Sequence, residues 1–413
     1  MQKTVLWNYA KLLARTGLNV QKGQEVIISA ELDQAEFVRM AAEECYRAGA
    51  SKVRVEWTHQ PLRRLSADFC SEQIMGEVLP WQEEKMRWEV KTLPARLYIE
   101  SEDPDGLNGI DAEKYARAVQ ARSHILKPYR DRMENKYQWC IAAVPGKRWA
   151  KKVFPKYSAG AAEEKLWEAI LAASRSLEGN PLANWQSHNA ELAARCEYLN
   201  SLGLSSLEYR APNGTHLRVG LMPGGIFMGG GETTLSGVFF NPNIPSEEVF
   251  TTPKKGDAEG IVYSTKPLSY QGQLIRNFSV RFEEGRAVEV HAAQGEGALK
   301  KMIAMDEGAA YLGECALVPY DSPISRSRIL FYNTLFDENA SCHLAMGRGF
   351  SNCLRGYEQL TEEEIKACGV NDSMIHVDFM IGNEELEIDG ITQNGETVPL
   401  FREGGWAFSV RRE

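Results

Sequence analysis

The first third of the chain alternates short apolar runs with a longer segment of helical periodicity. The runs Glu25–Ser29 and Lys52–Trp57 each predict a strand. Between them, Asp33–Ala50 places apolar side chains three and four residues apart, which is typical of an amphipathic helix. We expect Asp33 to cap this helix and Gly49 to end it. A strand, a helix and a second strand in this order predict a parallel sheet with a right-handed crossover.

Two further strands and one helix are predicted to complete this half of the chain, at Arg96–Ser101, Trp139–Pro145 and Ala159–Leu177, and a second helix at Leu182–Leu202 leads into the second half. The break "EGNP" separates the two helices. Beyond the second helix, the alternation of strands and helices gives way to short strand-like runs with many glycines. We therefore predict an α/β domain with a parallel sheet over residues 1–181.

The second half has a different pattern, dominated by short strand-like runs and glycines from Leu207 onwards. Near its end, Asp389-Gly390 and Asn394-Gly395 are both dipeptides that favour tight hairpin turns. These features predict an α+β domain rich in strands over residues 182–413.

Composition narrows the class of protein. The chain has 413 residues, of which 43% are hydrophobic and 25% charged, with a formal net charge of -9. We expect no nucleic-acid partner because basic residues form no stripe. We expect no membrane partner because apolar runs are too short to span a bilayer. Eight cysteines without a CxxC pair are typical of reduced, mostly buried thiols, so a cytoplasmic location is predicted.

The run "MIHVDFMIG" sets a histidine and an aspartate into apolar text. His376 and Asp378 are two residues apart, so on a strand both would point to the same face, away from Val377 and Phe379. A cation would satisfy the imidazole and the carboxylate together. A hydrogen-bonded pair in the core is the alternative for this motif taken alone.

Other polar residues of the second half lie in similarly apolar or proline-bracketed surroundings, at Glu247, Glu248, Glu314 and His343. Histidine and carboxylate ligands without thiolates suit zinc, cobalt or manganese in a hydrolytic site. Together with His376 and Asp378, these candidates exceed the needs of one tetrahedral ion, so a site for two divalent metal ions with a bridging carboxylate is predicted.

Four blocks of the second half together give a specific resemblance. The text "NIPSEEVFTTP", "GECALVP", "FDENASCHLAMG" and "HVDFMIG" resembles the aminopeptidase T / aminopeptidase S (PepS-like) family of bacterial thermophilic-type metallo-aminopeptidases. The resemblance implies five metal ligands, which are Glu248, Glu314, His343, His376 and Asp378. It also implies that Glu314 bridges two ions.

The resemblance further implies the reaction and the assembly. We expect a metal-dependent aminopeptidase that removes N-terminal residues from short peptides through a water activated by two metals, in a homodimer. Glu247, next to a ligand glutamate, is predicted to be the general base. The alternative is that Glu247 points to solvent, because neighbours on a strand face opposite sides. Asp337 and Glu338 are interpreted as loop or helix-capping acids.

Position 350 departs from the family. Seven residues after the histidine of the "HLA" block the family has a tyrosine, whereas this chain has Phe350. A phenyl ring keeps the packing but lacks a hydroxyl that could donate a hydrogen bond. This departure favours one alternative, a non-catalytic relative that binds metal and peptides without turnover. A different two-metal hydrolase acting on an amide or a phosphoester is a separate alternative that also stays open.

Overall fold

The chain folds into two compact units. The structure is a computed structural model that describes residues 1–270 and 273–410. Unit one consists of Met1–Gln186 and Gly231–Ser246, and unit two consists of Ser187–Gly230 and the described residues from Glu247 onwards. The domains 1–181 and 182–413 stay a prediction about how the chain is organised.

The helices are α1 (Lys3–Leu12), α2 (Ala35–Ala48), α3 (Gln60–Phe69), α4 (Glu72–Gly76), α5 (Pro80–Thr92), α6 (Ala112–Met133), α7 (Lys147–Val153), α8 (Ala159–Ala173), α9 (Pro181–Ser201), α10 (Glu296–Ile303), α11 (Pro323–Ser327), α12 (Thr334–Asp337) and α13 (Glu362–Ala367).

The strands are β1 (Glu25–Glu31), β2 (Lys52–Thr58), β3 (Ala95–Glu100), β4 (Trp139–Ala143), β5 (Leu204–Arg210), β6 (His216–Leu221), β7 (Met228–Gly229), β8 (Glu232–Thr233), β9 (Phe239–Phe240), β10 (Asn243–Ile244), β11 (Val249–Thr251), β12 (Pro253–Tyr263), β13 (Leu268–Tyr270), β14 (Gln273–Glu283), β15 (Arg286–Gln294), β16 (Leu312–Leu317), β17 (His343–Gly347), β18 (His376–Met380), β19 (Glu387–Thr392), β20 (Thr397–Arg402) and β21 (Gly405–Trp406).

Unit one contains the predicted parallel sheet. Its strand order is β10-β4-β3-β1-β2, and all four pairings are parallel. Ile28 of the central strand β1 pairs with Val55 on one side and with Leu97 on the other. Because Val26, Ile27 and Ile28 are fully buried, the short apolar run that predicted this strand forms the middle of the sheet.

The ends of α2 were predicted with mixed success. Gly49 does end the helix, in a left-handed conformation with φ of 118° that glycine adopts without strain. Asp33 does not cap it, because residues Leu32–Gln34 form a 3-10 turn and Gln34 occupies the capping position.

Unit two is built from two antiparallel sheets with a core between them. One is nine-stranded and runs from β13 to β21, and the other is five-stranded with the order β18-β17-β16-β11-β7. Side chains from both sheets share one apolar cluster, including Tyr209 and Phe278 from the larger sheet and Leu344 and Phe379 from the smaller. The predicted fold class, an α/β N-terminal region and a strand-rich α+β C-terminal region, is confirmed.

Of the two predicted hairpin turns, one is confirmed and one is wrong. Asn394-Gly395 connects β19 to β20, with Gly395 at φ of 82°. Asp389-Gly390 lies inside β19 instead. The carboxylate of Asp389 pairs with Arg210 and Arg402, and this tertiary ion pairing outweighs the local turn preference.

Two further predictions concern the thiols and the membrane. All eight cysteines are free and six of them are buried, as predicted. Within residues 1–270 and 273–410, none of the helices combines the length and the apolar character needed to cross a bilayer.

Candidate metal centre

One face of the five-stranded sheet carries the predicted ligands in neighbouring rows. Ala345 of β17 pairs with Glu314 on β16 and with Asp378 on β18. Paired residues on adjacent strands point to the same face, so the two carboxylates flank a small alanine. His376 is on the same face as Asp378 because it lies two positions earlier on β18. The alternation predicted for the "HVD" motif is therefore confirmed.

A glycine on β17 allows this strand to approach β18 closely beside His376. His376 pairs with Gly347, which has a φ of 104°. A Cβ at this glycine would lie 2.1 Å from the carbonyl oxygen of Ile375. Position 347 therefore requires glycine, and the two strands approach closely where the imidazole leaves the backbone.

Glu248, the residue immediately before β11, reaches the same face. Its Oε2 lies 3.3 Å from Nε2 of His343, the first residue of β17. Both side chains are buried, with 9% and 1% of their surface exposed. His343 pairs with Ala316, another small residue, so side-chain volume is again low beside a ligand.

The five predicted ligands fall into two clusters of three. The first ligand cluster is Glu248, Glu314 and His343, and the second ligand cluster is Glu314, His376 and Asp378. Within each cluster, one ligand atom per residue lies within 4.8 Å of the others. In the second, Nε2 of His376 is 3.1 Å from Glu314 Oε2 and 3.2 Å from Asp378 Oδ1. Glu314 belongs to both clusters.

Backbone carbonyls fix the orientation of both imidazoles. Nδ1 of His343 lies 3.2 Å from the carbonyl oxygen of Ser341, and Nδ1 of His376 lies 2.7 Å from that of Arg348. Each Nδ1 therefore carries the proton and donates it to the carbonyl, which leaves Nε2 directed at the carboxylates. Metal-binding histidines commonly have such a partner on the second nitrogen.

Burial and mutual repulsion shift the carboxylates away from their ordinary behaviour. Burial, followed by the negative charge of Glu248, raises the pKa of Glu314 to about 7, although His376 acts in the opposite direction. Burial also works to raise the pKa of Asp378, but the adjacent charge of His376 lowers it below its usual range. Ionising Glu314 is therefore costly when no cation neutralises its charge.

The imidazoles respond in the opposite sense. Burial alone would lower the pKa of His343, but the hydrogen bond and charge of Glu248 raise it to about 9. For His376, burial likewise lowers the pKa, and Asp378 with Glu314 raises it well above the ordinary value. In the absence of a cation, the carboxylates thus stabilise the protonated, positively charged form of both imidazoles.

The arrangement fits divalent cations. Asp378 Oδ1 is buried and has no well-directed hydrogen-bond donor among the described residues. Three buried carboxylates and two imidazoles with their Nε2 atoms turned inwards supply oxygen and nitrogen ligands. This donor set suits zinc, cobalt or manganese, and a cation would neutralise charges that burial otherwise makes costly.

Phe350 packs directly on a ligand. Its ring centroid is 4.9 Å from that of His376 and 5.5 Å from that of Phe250. Its backbone N–H donates to the hydroxyl of Thr252 at 2.8 Å, which fixes the chain at this position. The phenyl ring thus packs against the second ligand cluster without a hydroxyl to donate there.

Glu247 is buried but belongs to neither cluster. Only 6% of its surface is exposed, so it does not point to solvent. Its Oε2 lies 3.9 Å from Nε2 of the buried His188, and its backbone N–H donates to Oδ1 of Asn339 at 2.7 Å. Its role as general base stays a prediction.

The two acids before His343 have different surroundings. Asp337 is the last residue of α12 and accepts hydrogen bonds from the backbone N–H groups of Phe331 and Asn333, so its carboxylate holds the loop before this helix and does not cap a helix N-terminus. Glu338 differs, because burial and then the charges of Asp378, Glu248 and Glu314 raise its pKa well above the ordinary value.

Sequence reasoning gave a role in the site to none of Glu338, Asn339 and His188. The available signal was the position of Glu338 and Asn339 in the same block as His343. His188 lies on α9, and nothing in its local sequence indicates that it meets Glu247.

Comparison with known proteins identifies the family. The model of the thermophilic metalloprotease (M29) family matches residues 2–406. Aminopeptidase AmpS of Bacillus subtilis is 42% identical over 97% of this chain and 98% of its own length. Aminopeptidase T of Thermus thermophilus is 40% identical over 98% of each chain. The solved structure of wild-type AmpT from Thermus thermophilus superposes with a TM-score of 0.90 at 39% identity, covering 98% of this chain and 100% of that one.

These matches extend over nearly the whole length of each protein compared, and they confirm the family predicted from the four sequence blocks. The chain therefore belongs to the thermophilic metalloprotease (M29) family, and its enzyme class is that of the metallo-aminopeptidases.

Proposed function

We propose that the chain removes N-terminal residues from short peptides with the help of two divalent cations. The first ligand cluster would hold one cation and the second ligand cluster the other, with Glu314 shared between them. The observation that carries the proposal is the membership of Glu314 in both clusters, because a shared carboxylate is typical of two-metal hydrolytic sites. Zinc, cobalt and manganese all match the donors.

Divalent cations in such a site supply an activated water at neutral pH and polarise the substrate carbonyl. The chain's own residues then orient the substrate and move a proton. The free α-amine of a substrate would bind one of the cations or a carboxylate beside the two ligand clusters. Such binding would direct cleavage to the first peptide bond.

Two glutamates are candidates for proton transfer. Glu247 is the one predicted from the sequence, and its carboxylate lies beside His188. Glu338 is a second candidate, because burial and then the charges of the ligand carboxylates raise its pKa, and an ionised carboxylate with a raised pKa is a stronger proton acceptor. The variants Glu247→Gln and Glu338→Gln separate them: the proton acceptor loses kcat by about 100-fold or more with cation affinity retained.

The proposed function is tested with metal-free protein. Leu-, Arg- and Phe-p-nitroanilide are incubated with it, and then cobalt or zinc is added. We expect metal-dependent release of p-nitroaniline and none from the N-acetylated substrates, which lack the free amine. Cation binding without release from any free-amine substrate would support the non-catalytic alternative, which the comparisons do not support. Release from N-acetylated or phosphoester substrates would support the different hydrolase.

The assembly and the location are further parts of the proposal. We expect a homodimer in the cytoplasm, with the site accessible to short peptides. Light scattering coupled to size-exclusion chromatography tests the first, since a monomeric mass of 46.3 kDa would contradict it.

A further inference from the structure

Asn339 joins two of the three chain segments that carry ligands of the first ligand cluster. It lies in the 3-10 turn Glu338–Ala340, four residues before His343, and its side chain is fully buried. Its Oδ1 accepts a hydrogen bond from the backbone N–H of Glu247 at 2.7 Å. The next residue is Glu248, so one amide connects the segment before β11 to the segment before β17.

The two polar atoms of this amide, Nδ2 (the Nδ2 arm) and Oδ1 (the Oδ1 arm), have different partners. Nδ2 donates to the carbonyl oxygen of Leu335 at 2.9 Å and contacts Glu338 Oε1 at 3.4 Å. Both partners belong to the stretch that leads to Asn339 itself. The Nδ2 arm therefore orients the side chain, and the Oδ1 arm reaches across to Glu247.

The contact is made where regular pairing stops. The ladder between β11 and β16 begins at Val249, which pairs with Leu317. Glu248 and Glu247 lie just before this ladder, so the strand pairing does not fix their backbone. Asn339 supplies the acceptor that the buried N–H of Glu247 needs.

We propose that Asn339 is a positioning residue, which holds the carboxylate of Glu248 against His343 through the backbone of Glu247. This inference rests on the proposed two-metal function and adds a residue that belongs to neither ligand cluster. Removing a group that orients a ligand typically weakens metal affinity about 10- to 100-fold.

The test uses cobalt binding rather than activity. Metal-free protein is titrated with Co²⁺ in a calorimeter, and His343→Gln and His376→Gln identify which binding event belongs to which cluster. Asn339→Ala removes both arms, whereas Asn339→Asp keeps an acceptor for Glu247 and loses the Nδ2 donors. Asn184→Ala is the matched control, because Asn184 donates to the carbonyls of Arg175 and Glu178 within unit one.

We expect Asn339→Ala to weaken the event of the first cluster at least tenfold and to leave the other event within twofold. Asn339→Asp should keep the first event within about threefold of wild type even though the metal-free protein becomes less stable. The reason is that a carboxylate oxygen still accepts the hydrogen bond from the N–H of Glu247, whereas the added charge beside the buried carboxylates destabilises the empty site. Asn184→Ala should change neither event.

The outcomes separate the inference from the function on which it rests. Wild-type affinity in Asn339→Ala, or an equal loss in the alanine and aspartate variants, overturns the role of Asn339. If Asn339→Ala does not fold, Asn339→Asp decides alone: retained affinity supports the positioning role, and a loss of tenfold or more refutes it. A wild-type protein that binds fewer than two Co²⁺ ions would instead overturn the two-metal function.

Discussion

Replacing the shared carboxylate tests the electrostatic argument most directly, because Glu314→Gln keeps the shape and removes the charge. In the metal-free protein, burial and then the charge of Glu248 raise the pKa of Glu314 from 4.5 to about 7. Each unit corresponds to about 1.4 kcal/mol, so ionised Glu314 costs the metal-free fold roughly 3 kcal/mol above pH 7. Since the pKa is raised by folding, this cost is absent below about pH 4.5 and grows as the pH rises to about 7.

Two opposite effects follow for Glu314→Gln. Without cations, the variant should be more stable than wild type at pH 8, by up to roughly 3 kcal/mol, and about equally stable near pH 4.5. With cations, the wild type should gain about 2.7 kcal/mol at a concentration 100 times the dissociation constant, whereas the variant should gain far less. The residue that binds cations is thus the one that destabilises the empty fold.

Urea unfolding at both pH values, in chelator and in Co²⁺, measures these differences. Glu89→Gln is a control of opposite sign, because buried Glu89 contacts Arg96 at 2.6 Å, and its loss should destabilise the protein at pH 8 whether or not cations are present. The reasoning is refuted if Glu314→Gln lowers the stability of the metal-free protein at pH 8, or if Co²⁺ stabilises the variant as much as wild type.

Three further perturbations test separate parts of the structure. Phe350→Tyr should raise kcat on Leu-p-nitroanilide with a change in stability below about 1 kcal/mol, because the ring already packs on His376 and only a hydroxyl is added; an unchanged or lower rate would contradict this. Cation affinity should rise between pH 6 and pH 9, because protons must leave His343, with its pKa of about 9, and Glu314 before a cation binds. Calorimetry in buffers of different ionisation enthalpy should detect the released protons, and an affinity that does not change with pH would refute the raised pKa values. Phe379→Ala should cost about 3–5 kcal/mol in urea unfolding, since the ring is 1% exposed and packs behind the ligands; a loss below 1 kcal/mol would count against the core described for unit two.

The sequence was sufficient for features that depend on neighbours along the chain. The period of two in "HVDFM" predicted which face of β18 carries His376 and Asp378, and the apolar runs predicted four of the five strands of the parallel sheet, all except β10. The five predicted ligands themselves came from separate blocks, and the resemblance to a family, rather than spacing, joined them.

What the sequence could not supply depends on register and on contacts between distant segments. The approach of Glu314 to Asp378 requires β16 and β18 to flank Ala345, and no local pattern encodes that pairing. His188 meets Glu247 across 59 positions of sequence, and Asn339 bonds Glu247 across 92. The wrong turn at Asp389 has the same origin, because this residue lies in the ladders of β19 with β5 and β20 and its carboxylate pairs with Arg210 and Arg402.

Side chains along β17 alternate between the apolar core and the face that carries the ligands, and this arrangement separates cation binding from the effect of Phe350. Leu344 and Met346 face the core, whereas His343, Ala345 and Gly347 follow the other side of the strand, where small residues leave room among the ligands. Burying three carboxylates and two imidazoles without a cation is costly, because the effective penalty is several kcal/mol for each ion. A protein with no use for cations would be more stable with apolar residues there, so the intact ligand set argues for cation binding whatever happened at position 350. Phe350 leaves that argument untouched, since it packs on the ring of His376 and supplies no ligand. Cation binding and turnover can therefore be measured separately, and a Phe350→Tyr variant that gains kcat at constant Co²⁺ affinity would assign the change at position 350 to turnover alone.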